Sequence, residues 1–454
     1  MYQPQTRPAP TMPLAGTPGT PGTPATPEIP LPPEPQSIEQ TGLTLSFIAD
    51  LALKTLYLRG QMTMGEVSTA LGLPITNVVD KVMEFMKGER LVEIRGGTGL
   101  SSAGYQFVIV DRGSEKAQES LARSQYVGKA PVPLASYLEA VKRQSISNIS
   151  VTQEELAHAF SHMVIPRETL ARLGPAVNSG KSIFLFGPPG NGKTTIAEVL
   201  VSLLRGEVVL PYAVEVDQQI IKVYDQVYHR AALDPIVADR LRFDHRWIIS
   251  KRPIVMTGGE LTLETLDLIY DDSAKFYEAP FQMKANGGIF MVDDFGRQRV
   301  SPKDLLNRWI VPLEKRVDYL TLHTGKKLEI PFDMLIIFST NLDPADLVDE
   351  AFLRRIRYKI GIEAPTVAQY EEIFKRMCER KQIEYRSDAM SQILAHYRRK
   401  NLGLRSCHPR DILEQLTDTA RFLGRPAQLT PDLIDMACDS YFVSLDPSGS
   451  PQGA

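Results

Sequence analysis

Lys193 and Thr194 close the run Gly187-Pro188-Pro189-Gly190-Asn191-Gly192-Lys193-Thr194, a gap-free match to G-x-x-x-x-G-K-[ST], with Thr195 following. Glycines so spaced let the backbone curl until successive N–H groups face one anion, at a helix N-terminus already favourable to negative charge. Lys193, expected to face solvent from this loop, would set a point charge on the β- and γ-phosphates of a nucleoside triphosphate. The Thr194 hydroxyl would join a Mg²⁺ shell. One hundred residues after Lys193 comes Asp293, suited to hold the same Mg²⁺ through water, and then Asp294, placed to polarise an attacking water. Asn341 offers an amide for the γ-phosphate and its water. Arg354 and Arg355 offer cations for charge that develops during phosphoryl transfer.

These side chains need rigid carriers. Ser182-Ile183-Phe184-Leu185-Phe186 reads as a buried parallel strand feeding the loop, and a helix with Ile196, Ala197, Leu200 and Leu203 inward leaves it. Gly288 to Val292 and Met334 to Thr340 are two more apolar runs, each ending in a polar tip, as strands buried on both faces should. Asp349 to Arg355 reads as a helix that ends in the paired arginines. His162-Met163-Val164-Ile165-Pro166 precedes the loop by some twenty residues, and Val164 is either part of an adenine platform or a core residue.

Together these residues resemble the AAA+ ATPases, ring-forming P-loop proteins, over residues 150 to 445. The resemblance implies an α/β P-loop three-layer sandwich with a parallel sheet at 151–360, followed by a small all-α lid at 361–445. It implies ATP and Mg²⁺ as ligands and hydrolysis of ATP to ADP. Walker A falls at Gly187 to Thr194, Walker B at Asp293 and Asp294, sensor 1 at Asn341, and the arginine finger at Arg354 or Arg355. Arg410, in Cys407-His408-Pro409-Arg410, looks like the lid arginine, with Arg405 competing. A hairpin of Tyr319–Leu322 with Leu328–Ile330, just before the sensor strand, is similar to the pre-sensor-1 hairpin branch that includes the MoxR-like chaperone ATPases. One departure is Asp294, where the family usually carries Glu. Its side chain is shorter by one carbon–carbon bond, roughly 1.5 Å, which predicts slow or water-bridged turnover.

The remaining chain organises this machine. Residues 1–40 are rich in Pro, Thr and Gly and read as a disordered tail. Residues 41–125 run helix–helix–helix–strand–loop–strand–helix and resemble a winged-helix domain. They hold nine basic and nine acidic residues, and the loop between Arg95 and Tyr105 has no Lys or Arg. DNA affinity rests on phosphate neutralisation, so this domain reads as a dock for a protein client rather than a DNA reader. Residues 126–150 read as a linker and 446–454 as a flexible tail. The insertion between Lys193 and Asp293 holds a hairpin, Val214–Val216 with Ile220–Val223, and a second apolar pair around Trp247–Ile249 and Pro253–Val255. His229 and His245 within it fit no standard metal spacing.

The 454 residues carry a net charge of −3, a sequence pI near 6.2 and three widely spaced cysteines. With no apolar run near the roughly 18 residues of a membrane span, the expected setting is the cytoplasm; the resemblance to the AAA+ ATPases implies a homo-oligomeric ring, a hexamer, as the assembly. A DNA-directed ATPase and a slow ATP-dependent switch or scaffold are the alternative readings.

Overall fold

The computed structural model describes residues 29–97, 105–204, 206–347 and 353–442. The tail expected at 1–40 lies outside the described residues up to position 28. From Ile29 onward it does not behave as a solvated tail. Ile29 and Leu31 pack against an apolar cluster that includes Val132 and Trp247, and the Pro32 carbonyl accepts from the Asp244 N–H at 2.9 Å.

Ser37 then caps α1 (Ile38–Thr41) and Thr44 caps α2 (Leu45–Arg59), which stops at Gly60. β1 (Gln61–Thr63) precedes α3 (Met64–Leu71), opened by a Thr63/Glu66 capping box. The third helix of the unit starts late, because Thr76 is extended and Asn77 is left-handed, so α4 runs over Asp80–Gly88. β2 (Val92–Gly97), β3 (Tyr105–Ile109) and α5 (Asp111–Arg123) complete the unit. The strands form an antiparallel sheet in the order β1-β3-β2. The expected wing loop lies at 98–104, outside the described residues.

The stretch expected to be a linker, 126–150, is structural. It forms β4 (Val132–Pro133) and α6 (Leu134–Arg143), and it buries Val132, Tyr137, Val141 and Ile146. Burial of four apolar side chains outweighs the flexibility that its proline and serine content suggests. α7 (Gln153–Ala159) and α8 (Arg167–Asn178) lead into β5 (Ser182–Phe186) and α9 (Lys193–Leu203).

The insertion follows as β6 (Glu207–Pro211), β7 (Ala213–Val216), β8 (Gln219–Lys222), α10 (Pro235–Arg240), β9 (Trp247–Lys251), β10 (Ile254–Thr257), β11 (Ile269–Asp271) and β12 (Phe276–Glu278). β7 and β8 make the expected hairpin. Its two-residue turn, Asp217-Gln218, is left-handed at both positions without a glycine, in keeping with the Asp tolerance of that region. The second apolar pair does not pair with itself: β9 lies antiparallel to β6, and β10 joins the central sheet. β4, β7, β8, β12 and β11 form a second, mixed sheet.

After α11 (Phe281–Ala285) come β13 (Ile289–Val292), α12 (Pro302–Arg308), α13 (Ile310–Lys315), β14 (Val317–Thr321), β15 (Lys327–Pro331), β16 (Leu335–Thr340), α14 (Pro344–Leu347) and β17 (Tyr358–Gly361). β14 and β15 form the expected hairpin before the sensor strand.

The central sheet is parallel throughout, in the order β10-β13-β16-β5-β17. Alternate side chains define its two covered faces. Ile183, Leu185, Met291 and Ile337 meet α7, α8 and α9 on one side, while Phe184, Phe290, Ile336 and Phe338 meet α12 and Trp309 on the other. This is the expected three-layer α/β sandwich. A separate all-α unit follows: α15 (Val367–Lys381), α16 (Ser387–Arg399), α17 (His408–Phe422) and α18 (Pro431–Tyr441), around their own apolar cluster. Among the described residues no helix is long and apolar enough to cross a membrane.

The N-terminal unit is fused to the insertion. Its apolar cluster includes Ala213 and Ile220, with Phe276 packed against it. At the joint Arg246 grips the Asp244 carboxylate, and its Nη1 donates to the Thr41 carbonyl at 2.7 Å and the Pro131 carbonyl at 3.2 Å. Both side chains of this pair are about 95% buried, at 4% and 5% exposure.

Candidate active site

The phosphate loop hangs between β5 and α9, and its glycines hold conformations that other residues resist. Gly190 has φ +78, and a Cβ built there would lie 2.6 Å from Cys407 Sγ. Gly187 is equally constrained, since its Cβ would meet the Ile362 carbonyl oxygen at 2.2 Å. Gly192 caps α9, so Lys193 and Thr194 begin the helix. Pro188 and Pro189 stiffen the turn between the first two glycines.

Lys193 corrects one expectation. It is buried, at 6% exposure, rather than solvent-facing. Its ammonium donates to the Gly187 carbonyl (2.9 Å), the Pro188 carbonyl (3.0 Å) and Asn341 Oδ1 (2.7 Å). Burial pushes its pKa down, and the nearby Asp293 and Asp294 carboxylates act to raise it. The sequence puts the ammonium on a loop; the fold sinks it beneath that loop, where β16 delivers a partner.

The central sheet brings the other groups to the same end. Thr194 Oγ1 donates to Asp293 Oδ2 at 3.0 Å, placing two hard oxygens together at the foot of the loop. That donor set suits a hard divalent cation such as Mg²⁺, which keeps several waters and takes few protein ligands. Asn341 Nδ2 donates to Asp294 Oδ1 at 2.8 Å while its Oδ1 accepts from Lys193. One amide thus bridges the cation and the acid, and both of its ends are fixed. Asp294 itself is left-handed, with φ +49.

Across the loop lies a cavity of about 660 Å³, lined by Val164, Gly190, Asn191, Thr195, Arg376 and Arg410 among others. Val164 therefore faces the phosphate loop across one cavity. Arg410, in the first turn of α17, lines it too and is paired with Asp411 through Nε at 2.9 Å. Arg405 runs past Gly190, with its Cδ 3.6 Å from the position of a Cβ there.

Two contacts that the sequence does not reveal join the lid to the loop. The Cys407 N–H donates to the Gly190 carbonyl at 2.9 Å, and the Ser406 N–H donates to Asn191 Oδ1 at 3.1 Å. On the far wall Arg376 Nη1 donates to the Ser161 carbonyl at 2.8 Å, gripping the segment that carries Val164.

Arg354 and Arg355 lie together in a turn, and the 348–352 part of their expected helix is outside the described residues. Arg354 is exposed, while Arg355 Nε donates to Glu314 of the same chain at 2.7 Å. His229 accepts the Asp225 N–H at Nδ1 and meets the Lys284 carbonyl through Nε2, a core histidine that burial keeps neutral. Among the described residues no group of three or more His, Cys, Asp and Glu is placed to hold a metal.

Comparison with known proteins touches the two halves of this site differently. Residues 366–440, the lid, match the model of a family described as a domain of unknown function (DUF8689). No curated protein matches the chain. Among solved structures, the chain is similar to the RuvB Holliday junction branch migration motor of Thermotoga maritima, at 16% identity and a TM-score of 0.34. That match covers 65% of this chain and 72% of the other. It is also similar to NtrX from Brucella abortus in complex with ADP, at 16% identity and a TM-score of 0.37, covering 74% of this chain and 68% of that one.

Proposed function

We propose that this chain is an AAA+ ATPase that works as a homo-oligomeric ring, a hexamer, and remodels a protein client or complex held by a winged-helix-like domain at 41–125. The observation that carries the reading is the convergence of Lys193, Asn341 and Asp294 in one hydrogen-bonded line, beside Thr194 and Asp293. In this reading the loop N–H groups and Lys193 hold the β- and γ-phosphates, and Val164 faces the base. Thr194 and Asp293 hold Mg²⁺, which when bound neutralises phosphate charge. Asp294 accepts a hydrogen bond from the attacking water, oriented by Asn341.

The lid then reports the nucleotide through Arg410, and its rigid-body motion moves the client. Arg354 and Arg355 are jointly the finger candidates for a neighbouring subunit, and Arg355 Nε also donates to Glu314 of its own chain. The balanced charge of 41–125 supports a protein partner over duplex DNA.

ATP binding and turnover by the full chain test this. Lys193→Ala should lose ATP binding, and unchanged affinity would overturn the reading of the loop. Changing Arg354 and Arg355 together to Ala should keep ATP affinity and lose on the order of 10³-fold or more in turnover. Mixing that double variant with Lys193→Ala should recover activity, since a mixed interface pairs one intact loop with one intact finger. Co-assembled mixtures without recovery would place both arginines outside the neighbour's site.

A further inference from the structure

The turn after β13 contains a residue that no motif assigns. Gln298 folds its side chain back across Asp293-Asp294-Phe295-Gly296. Its Nε2 donates to the Asp293 carbonyl at 2.8 Å and the Asp294 carbonyl at 3.0 Å, and its Oε1 accepts the Gly296 N–H at 2.8 Å. One primary amide thus uses both its donors and an acceptor on the backbone of a single tight turn.

That turn has an uncommon backbone. Asp294 sits at φ +49, in the left-handed region that few residues other than Gly, Asn and Asp adopt. Other ties help: the Asp294 N–H donates to Asp293 Oδ1 at 3.0 Å, the Arg297 N–H to the Asp294 carbonyl at 3.0 Å, and the Phe295 N–H to the Ser339 carbonyl at 2.7 Å. From this backbone the Asp294 carboxylate reaches Asn341 Nδ2 at 2.8 Å. A relaxed turn with negative φ at Asp294 would redirect its Cα–Cβ bond, and a side chain with only χ1 and χ2 has little reach with which to recover its aim. A glutamate, with a third torsion and one more methylene, has more.

We propose that Gln298 is a positioning residue for Asp294: it locks the left-handed turn and thereby lets the short acid address the water that a longer acid would reach by itself. This rests on the proposed role of Asp294. It also accounts for how a chain with Asp at this position keeps a defined acid geometry, instead of the slow, water-bridged one that its length alone predicts.

The experiment is a double-mutant cycle on the full chain, reading ATP affinity, kcat and thermal midpoint. Gln298→Ala should leave ATP affinity unchanged and lower kcat by about 10- to 100-fold, the scale of a misplacement near 1 Å. In the Asp294→Glu background the same change should cost less than about 3-fold. Gln298→Glu, which keeps the acceptor but sets a carboxylate against two carbonyls, should behave like Gln298→Ala. Equal penalties in both backgrounds, or a fall in affinity and thermal midpoint that parallels kcat, would overturn the proposal in favour of a merely structural turn. Asp294→Asn separates the two levels. If that variant turns over ATP at the parental rate, the role given to Asp294 fails and takes Gln298 with it. If it is inactive while Gln298→Ala keeps the parental kcat, only the positioning role falls.

Discussion

The helical lid and the N-terminal unit are both appendages of the central α/β unit, yet they are attached by opposite physics. The lid touches the phosphate loop through two backbone donors, Cys407 to Gly190 and Ser406 to Asn191, and reaches the opposite wall through Arg376. Each such bond contributes about 1 kcal/mol net, so the contact can open and re-form as the site is used. The N-terminal unit shares an apolar cluster with Ala213 and Ile220 of the insertion and is pinned by a buried Arg246–Asp244 pair. Opening that joint would expose apolar surface and strand a charge. The N-terminal unit is therefore a rigid extension of the insertion rather than a tethered module, and its removal should destabilise the central α/β unit that carries it.

The largest effect should come from breaking the rigid joint. Arg246→Ala leaves Asp244 buried and unpaired and should cost about 3–5 kcal/mol in chemical denaturation. Replacing both partners, Asp244→Leu with Arg246→Met, should recover part of that loss. If Arg246→Ala costs no more than a lid contact does, the two attachments do not differ in kind.

A middle-sized effect belongs to the lid interior. His408 is buried beside Tyr397, whose hydroxyl meets its Nδ1 at 2.6 Å. Burial, aided by Arg405, pushes its pKa down to about 4, against the pull of Asp411. The unfolded chain holds this proton more readily than the folded lid. The stability from neutral His408 is therefore complete above the ordinary imidazole value near 6.5 and is lost as pH falls toward 4, by at most about 3 kcal/mol. Thermal melts across that window should show the lid softening before the N-terminal unit, and His408→Gln should flatten the slope.

The smallest effect tests the latch. Asn191→Ala removes the Ser406 bond but also a buried Nδ2 that has no partner, so the two contributions offset and net stability should shift by about 1 kcal/mol or less. Amide hydrogen exchange at residues 405–411 should nevertheless accelerate. Unchanged exchange there would mean that the Gly190 contact alone holds the lid.

These contrasts follow how far each feature was legible in the sequence. The phosphate loop, Asp293 and the parallel strands were plain, because each depends on neighbours a few residues away: an apolar run, a glycine spacing, a polar tip. The helices of the lid and both hairpins were legible for the same reason. What escaped depends on partners far along the chain or on backbone atoms. The sequence around Lys193 points to a solvent-facing side chain, because its burial is made by β16 and Asn341, 148 residues on. The composition of 126–150 reads as a linker, because β4 is two residues long and exists only as a pairing with β7. Gln298 gave no signal, since a side chain that binds only carbonyls and an N–H needs no matching residue type. Asn77 hid in an apolar periodicity that runs through a left-handed residue without showing it.

The strand order also carries a consequence for how the chain is made. β5, which bears the phosphate loop, hydrogen-bonds only to β16 and β17, the last two strands of its sheet to leave the ribosome. During synthesis at about 5–20 residues per second, β5 waits roughly 7–30 s for its first partner. For that interval Ile183, Phe184 and Leu185 form an unpaired, aggregation-prone segment. Any truncation that ends before Leu335 makes that exposure permanent.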